Sequence, residues 1–146
     1  MENRISLVTL GVRDLARART FYEALGWTPC GNNPGVVFFQ ANGMALALWT
    51  TTELAKDAKV NIAPRAGRDR PFGNVTIAYN VRNRRDVKTE LARAKKAGAK
   101  ILRPAETAFW GGETGYFADP DGHMWEVAWN PQWTLDRKGN VKLPKT

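Results

Sequence analysis

The chain has 146 residues, 43% of them hydrophobic and 25% charged, which is one globular domain's worth of ordinary composition and excludes wholesale disorder. No apolar stretch approaches the roughly 20 residues that a membrane span needs. One cysteine (Cys30) and one histidine (His123) exclude an internal disulfide and a single-chain Cys/His zinc site, and the formal net charge is +8.

The first predicted element is a strand over Ile5 to Val12. Asp14 follows as a helix N-cap, and Leu15, Ala18, Tyr22 and Leu25 then share one helical face with Phe21 beside them. Gly26 ends that helix. A short strand is expected near Thr28, then strands over Val36 to Gln40 and Met44 to Thr50, joined by a turn at Ala41-Asn42-Gly43.

Thr51 to Gly73 is polar, basic and marked by Pro64, Gly67, Pro71 and Gly73. It reads as a long linker with a turn of helix at Glu53 to Ala58, and a loop of that length is functional or poorly ordered. A second strand–helix unit follows: Val75 to Val81, then a helix with Val87, Leu91 and Ala94 on one face, stopped by Gly98. Val12 aligns with Val81, an offset of 81 − 12 = 69, so the chain reads as a repeat. After a short strand at Lys100 to Leu102, strands at Tyr116 to Ala118 and Met124 to Trp129 are joined by Asp119-Pro120-Asp121-Gly122. In that turn Asp119 can bond backbone amides, Pro120 presets φ and Gly122 tolerates a positive φ. The expected organisation is a single domain over 1–146: module one 4–52, linker 53–73, module two 74–131 and tail 132–146. In the tail Trp133 and Leu135 tie the start to the body and the last residues fray.

The closing strand alternates. Trp125, Val127 and Trp129 face one way, toward a helix; Met124, Glu126 and Ala128 face the other. Glu126 either sits on a solvated sheet face or lines a cavity, and its small neighbours favour the cavity. Ahead of it, Phe109 and Trp110 followed by Gly111-Gly112 form either a mobile lid that stacks on a ring or a cover for the core edge. His123 is expected to bond near its own turn, Cys30 to be a small buried hydrophobe or a loop residue, and Thr89 and Glu90 to lie on a solvated helix face.

Val12-Arg13-Asp14-Leu15 with Phe21-Tyr22 and Leu25-Gly26, and the block Asp119-Pro120-Asp121-Gly122 with Trp125-Glu126, resemble the vicinal oxygen chelate superfamily. That superfamily holds glyoxalase I, bleomycin-resistance proteins, fosfomycin-resistance enzymes and extradiol dioxygenases. The likeness runs from Ile5 to Pro131 and is strongest to small glyoxalase/bleomycin-resistance-like proteins with Phe109-Trp110-Gly111-Gly112 and Ala128-Trp129-Asn130-Pro131 around the block. It implies an α+β fold of two βαβββ modules whose strands curve into a U-shaped, partly closed mixed sheet around a cavity. It also implies a divalent ion held by four side chains, one from each of four strands. Carried over, those positions are Leu7, Leu46 (by aligning Trp49 with Trp129), Thr76 (Asn74 if the register slips by two) and Glu126. Only Glu126 is a competent ligand, so no metal and no other cofactor is expected.

The ligand-binding residues expected from strand parity and the loop are Leu7, Thr9, Leu46, Leu48, Thr76, Ala78, Asn80, Phe109, Trp110, Tyr116 and Glu126. The first functional expectation is a metal-free protein that sequesters or carries a small aromatic or amphipathic molecule. The alternative is an enzyme (lyase, isomerase or dioxygenase) using Glu126 as acid or base, with Tyr116 or Asn80 assisting, or as part of an atypical metal site. A basic module meeting an acidic partner is a further alternative. Basic residues spread over two helical stretches, Arg13 to Arg19 and Arg82 to Lys100, so nucleic acid is not an expected partner, nor is a membrane. The resemblance implies a homodimer. The opening residues carry no basic-then-apolar signal region, so a cytoplasmic location is expected.

Overall fold

A computed structural model describes residues 1–62 and 72–144. The chain divides into two compact units between Arg70 and Pro71. Pro64, Gly67 and Pro71 of the expected linker lie outside the described residues. Among the described residues no helix is long and apolar enough to cross a membrane.

The first unit runs β1 (Leu7–Val12), α1 (Leu15–Ala24), β2 (Pro29–Cys30), β3 (Val36–Ala41), β4 (Met44–Thr50) and α2 (Thr51–Ala58). Its sheet has the order β1-β4-β3-β2, with β1 parallel to β4 and the other pairs antiparallel. Asp14 caps α1 as its spacing predicts, its carboxylate accepting from the Arg17 amide at 3.0 Å. Ala18, Phe21 and Tyr22 turn inward from α1, and Tyr22 meets Phe39 of β3 with ring centroids 5.8 Å apart. Phe39 lies directly opposite Leu46, and Val37 opposite Leu48. Leu46 and Leu48 therefore belong to the α1-covered core, where each large buried side chain is worth about 1.5–3 kcal/mol. β3 and β4 turn at Asn42-Gly43, Asn42 taking φ +53, as that dipeptide predicts. The turn of helix expected in the linker is a full α2. It starts two residues earlier because the Thr50 hydroxyl accepts from the Glu53 amide at 3.3 Å.

The second unit repeats the pattern: β5 (Ile77–Asn80), α3 (Arg84–Ala97), β6 (Lys100–Thr107), β7 (Glu113–Ala118) and β8 (Met124–Trp129), in the order β5-β8-β7-β6. β5 is parallel to β8; the other pairs are antiparallel. The two βαβββ modules are thus present, each as an open four-stranded sheet with its own edges. Val87, Leu91 and Ala94 are buried on α3, and Gly98 ends that helix at φ +108, both as predicted. Leu91 reaches down to Gly115 of β7. On the same face Phe117 and Trp125 stack with centroids 6.1 Å apart. That places Trp125 and Val127 under α3 and turns Glu126 to the other face.

In this unit three strands differ in extent from expectation. β5 is shorter than Val75 to Val81, because Val75 and Thr76 find no ladder partner. β6 is eight residues rather than three, and β7 starts at Glu113 rather than Tyr116. Pro104 hides β6 from a periodicity reading: it lacks an amide hydrogen and sits on an edge strand, within the second of two register shifts that flank Arg103. The tail also pairs. β9 (Thr134–Leu135) and β10 (Val141–Lys142) form an antiparallel ribbon. Arg82 holds it to the body, its guanidinium donating to the carbonyls of Leu135 (3.4 Å), Asp136 (2.8 Å) and Arg137 (3.3 Å).

Candidate functional site

The α3-free face of the second sheet carries a hollow of about 400 Å³, lined by Arg103, Glu106, Thr107, Ala108, Phe109, Trp110, Thr114, Tyr116 and Glu126. Strand parity builds its floor. Tyr116 of β7 stands directly opposite Glu126 of β8, and Thr114 is two residues before Tyr116, so all three side chains emerge together. Thr114, a residue 2% exposed, donates its hydroxyl to Glu126 Oε1 at 2.8 Å. Burial raises the Tyr116 pKa, and hydrogen bonding to Glu126 and its negative charge raise it further; the Arg103 charge opposes them. The phenol therefore stays protonated and faces the carboxylate as a donor.

The wall comes from the irregular edge strand. The register shifts of β6 aim Arg103 over the Tyr116 ring, 4.8 Å from its centroid. Arg103 Nη1 also donates to Glu106 Oε1 at 2.6 Å. From the helix side, Arg84 anchors the hairpin. Its Nε donates to Glu113 Oε2 at 3.0 Å and its Nη2 to the Thr107 hydroxyl at 2.6 Å.

The rim is the β6–β7 turn. The Ala108 amide donates to the Gly112 carbonyl and the Gly111 amide to the Ala108 carbonyl, each at 2.9 Å, with Gly111 at φ +89. The segment read as a lid or a cover is therefore a closed three-residue hairpin turn. Phe109 at its tip is fully exposed at 102%, while the Trp110 indole lies across Gly112, where any Cβ would overlap it.

Of the residues expected to bind ligand, Phe109, Trp110, Tyr116 and Glu126 meet in this hollow. Ala78 pairs with Glu126 and Asn80 with Ala128, on the same sheet face but outside the hollow's lining, and Thr76 lies just before β5. Leu7 and Thr9 belong to the first unit, where they pair with Ala45 and Ala47. Leu46 and Leu48 point to the opposite face of that sheet from Leu7 and Thr9. The cause is an alignment slip of one residue. Thr9 pairs with Ala47 as Ala78, 69 residues later, pairs with Glu126, so the counterpart of Glu126 is Ala47 and not Leu46. Thr114, Arg103, Glu106 and Thr107 also line the hollow, and no periodic pattern in the predicted strands singles them out. The signal for Thr114 was its spacing of two from Tyr116, hidden by starting β7 too late.

The divalent ion implied by the resemblance does not fit these residues. Leu7 and Ala47 (or Leu46) offer no lone pair and Thr76 only a neutral hydroxyl, which leaves Glu126 alone. Among the described residues no group of three or more His, Cys, Asp or Glu is placed to hold a metal ion.

A model of the Glyoxalase/Bleomycin resistance protein/Dioxygenase superfamily matches residues 4–127. Among solved structures, a glyoxalase-related enzyme from Fulvimarina pelagi superposes with a TM-score of 0.87 at 38% identity, over 99% of this chain and 100% of that chain. The hypothetical protein SA1046 from S. aureus gives 0.72 at 21% identity, over 88% and 94% of the two chains. Lactoylglutathione lyase from Agrobacterium tumefaciens gives 0.68 at 22%, over 93% and 100%. The last two likenesses are likenesses of fold. No curated protein matches the chain significantly.

Proposed function

Because the chain belongs to the glyoxalase/bleomycin resistance protein/dioxygenase superfamily, we propose that it uses the family fold to bind a small aromatic or amphipathic molecule in the hollow of its second unit, as a sequestering or carrier protein. The observation that carries this reading is the meeting of an aromatic rim, Phe109 and Trp110, with a polar floor, Thr114, Tyr116 and Glu126, around one cavity. A cavity of about 400 Å³ is the size of a drug-like or metabolite ligand. Stacking on the rim supplies area, and the floor supplies directional hydrogen bonds. No step in this reading passes through a metal.

The test is a binding screen with aromatic metabolites and drugs, read by tryptophan fluorescence. Trp110 on the rim makes quenching the expected result, abolished by Trp110→Ala. A screen in which nothing binds, or in which Trp110→Ala binds as the native chain does, refutes the reading.

A second reading is favoured by the Tyr116–Glu126 pair. A phenol kept protonated beside a carboxylate is a donor and acceptor in one place, suited to moving a proton on a bound substrate. The likeness at 38% identity to a glyoxalase-related enzyme supports it. In that case Glu126→Gln abolishes turnover while the substrate still binds. We further propose that the chain pairs with a second copy of itself, checked by sedimentation equilibrium.

A further inference from the structure

We infer that the hollow of the second unit selects a cationic planar molecule, a protonated or quaternary aromatic nitrogen compound, with its ring on the Phe109–Trp110 rim and its charge toward Glu126. The inference rests on the reading that this hollow binds a small aromatic molecule, and adds the sign of its charge.

Three lining side chains carry formal charge: Arg103, Glu106 and Glu126. The Arg103 charge is paired, with Nη1 on Glu106 Oε1 at 2.6 Å and the guanidinium lying on the Tyr116 ring, while its buried Nε has no hydrogen-bond partner. Glu106 is neutralised by the same bond. That leaves Glu126, whose partners in the hollow are hydroxyls: Thr114 at 2.8 Å, and the Tyr116 phenol opposite. Its neighbours on the same face of β8 are Met124 and Ala128, and on β5 Ala78 and Asn80, none of them charged. The local balance is one uncompensated negative charge in a half-buried place, where screening is weakest.

The rim has the matching chemistry. Aromatic faces attract cations through their quadrupole, and Phe109 offers its ring wholly uncovered. An anionic ring would meet two carboxylates, Glu106 and Glu126, against one lining cation, Arg103, that Glu106 already pairs. The chain's net charge of +8 works against a cation only at long range. Inside a site narrower than a Debye length of about 8–10 Å, the nearest charges decide.

The experiment measures binding of three quinoline probes to the full chain by calorimetry: N-methylquinolinium (cation), quinoline (uncharged at neutral pH) and quinoline-4-carboxylate (anion). N-methylquinolinium is expected to bind about tenfold tighter than quinoline, equivalent to about 1.4 kcal/mol, and the carboxylate most weakly. Glu126→Gln is expected to bring the cation-to-neutral affinity ratio close to one. Glu106→Gln, which frees the Arg103 guanidinium, is expected to move preference toward the carboxylate probe; as a change on an exposed residue it keeps the test open should Glu126→Gln fold poorly. Tighter binding of the carboxylate by the native chain, or a ratio unchanged by both variants, overturns the inference. Equal binding of cation and neutral probe overturns the charge assignment and leaves the aromatic hollow standing. If none of the three binds, the underlying reading falls as well.

Discussion

Gly115 is where the helix side and the hollow side of the second sheet meet in one residue. Its own face lies under Leu91 of α3, while its neighbours Thr114 and Tyr116 form the floor of the hollow. In Gly115→Ala the new methyl would overlap Leu91 Cδ1 and stand 3.0 Å from the Arg103 carbonyl and 3.1 Å from the Ala105 amide nitrogen. The β6 backbone leaves no escape sideways, so the buried Leu91 must leave its rotamer, α3 must lift or β7 must bow. Overpacking of this kind costs about 1–3 kcal/mol. Replacing a strand glycine returns about 0.5–1 kcal/mol. The net expectation is a loss of about 1–2 kcal/mol, or roughly 3–8 °C in Tm. Thermal and urea unfolding read it directly. Leu91→Ala alone leaves a cavity and costs about 2–5 kcal/mol. In the double variant the two changes accommodate each other, so the combined loss falls short of the sum by about 1 kcal/mol or more. Binding of an aromatic probe weakens in Gly115→Ala, since β7 carries Thr114 and Tyr116 with it, and recovers partly in the double variant. A stabilised Gly115→Ala, or strictly additive losses, would refute this account of how helix packing sets the floor.

The Tyr116 phenol, its pKa raised first by burial and then by Glu126, is expected to ionise later than a free tyrosine in an ultraviolet titration. Its contribution to stability is present below about pH 10 and lost as pH rises through the folded-state value. Glu126→Gln lowers that value partway, the burial effect remaining; no change would mean that the two groups do not interact. Arg82→Ala removes three donations to tail carbonyls and is expected to speed hydrogen exchange and proteolysis at residues 134–142, with about 1 kcal/mol or less lost from the core transition. The Asp136 carboxylate of that ribbon, held below its ordinary pKa by hydrogen bonds from Asn140, stabilises the turn above the unfolded-state value and releases it as pH falls through the folded one; tail exchange at acid pH measures this. Because Leu7, Ala47 and Thr76 cannot complete a coordination sphere with Glu126, nickel, zinc or manganese in excess is expected to leave Tm unchanged; a concentration-dependent rise would overturn that assignment.

The repeat, both long helices with their ends, and the facing of Glu126 were legible because each rests on a strong local pattern. The Glu126 strand alternates cleanly, large aromatic against small, so its parity had one solution. β4 does not alternate: Met44-Ala45-Leu46-Ala47-Leu48 is apolar on both faces, and a tryptophan alignment had to stand in for periodicity. It slipped by one, and with a period of two a slip of one reverses every side chain. Arg103 was invisible for another reason. Its aim over Tyr116 comes from shifts on either side of it, and a bulge leaves no periodic trace.

The same turn occurs three times, at 108–112, 119–123 and 136–140, each closed by the same pair of backbone hydrogen bonds with glycine at φ +87 to +89 in fourth place. Two of the three open with an aspartate whose carboxylate accepts later amides of the turn, from Asp121 and His123 in one case and from Lys138 and Asn140 in the other. Their tips are Pro120-Asp121 and Arg137-Lys138. The backbone geometry is thus satisfied by tips without aromatic residues and is stabilised by an acid at the first position. The turn at 108 has Ala there, without that support, and places Phe and Trp at the tip, one fully in solvent and one lying on a glycine that could carry no side chain. Neither local stability nor core filling accounts for Phe109, which touches no core. A tip that forgoes the stabilising acid and exposes a benzyl group beside a half-buried carboxylate is what the proposed binding of a flat molecule in the hollow requires.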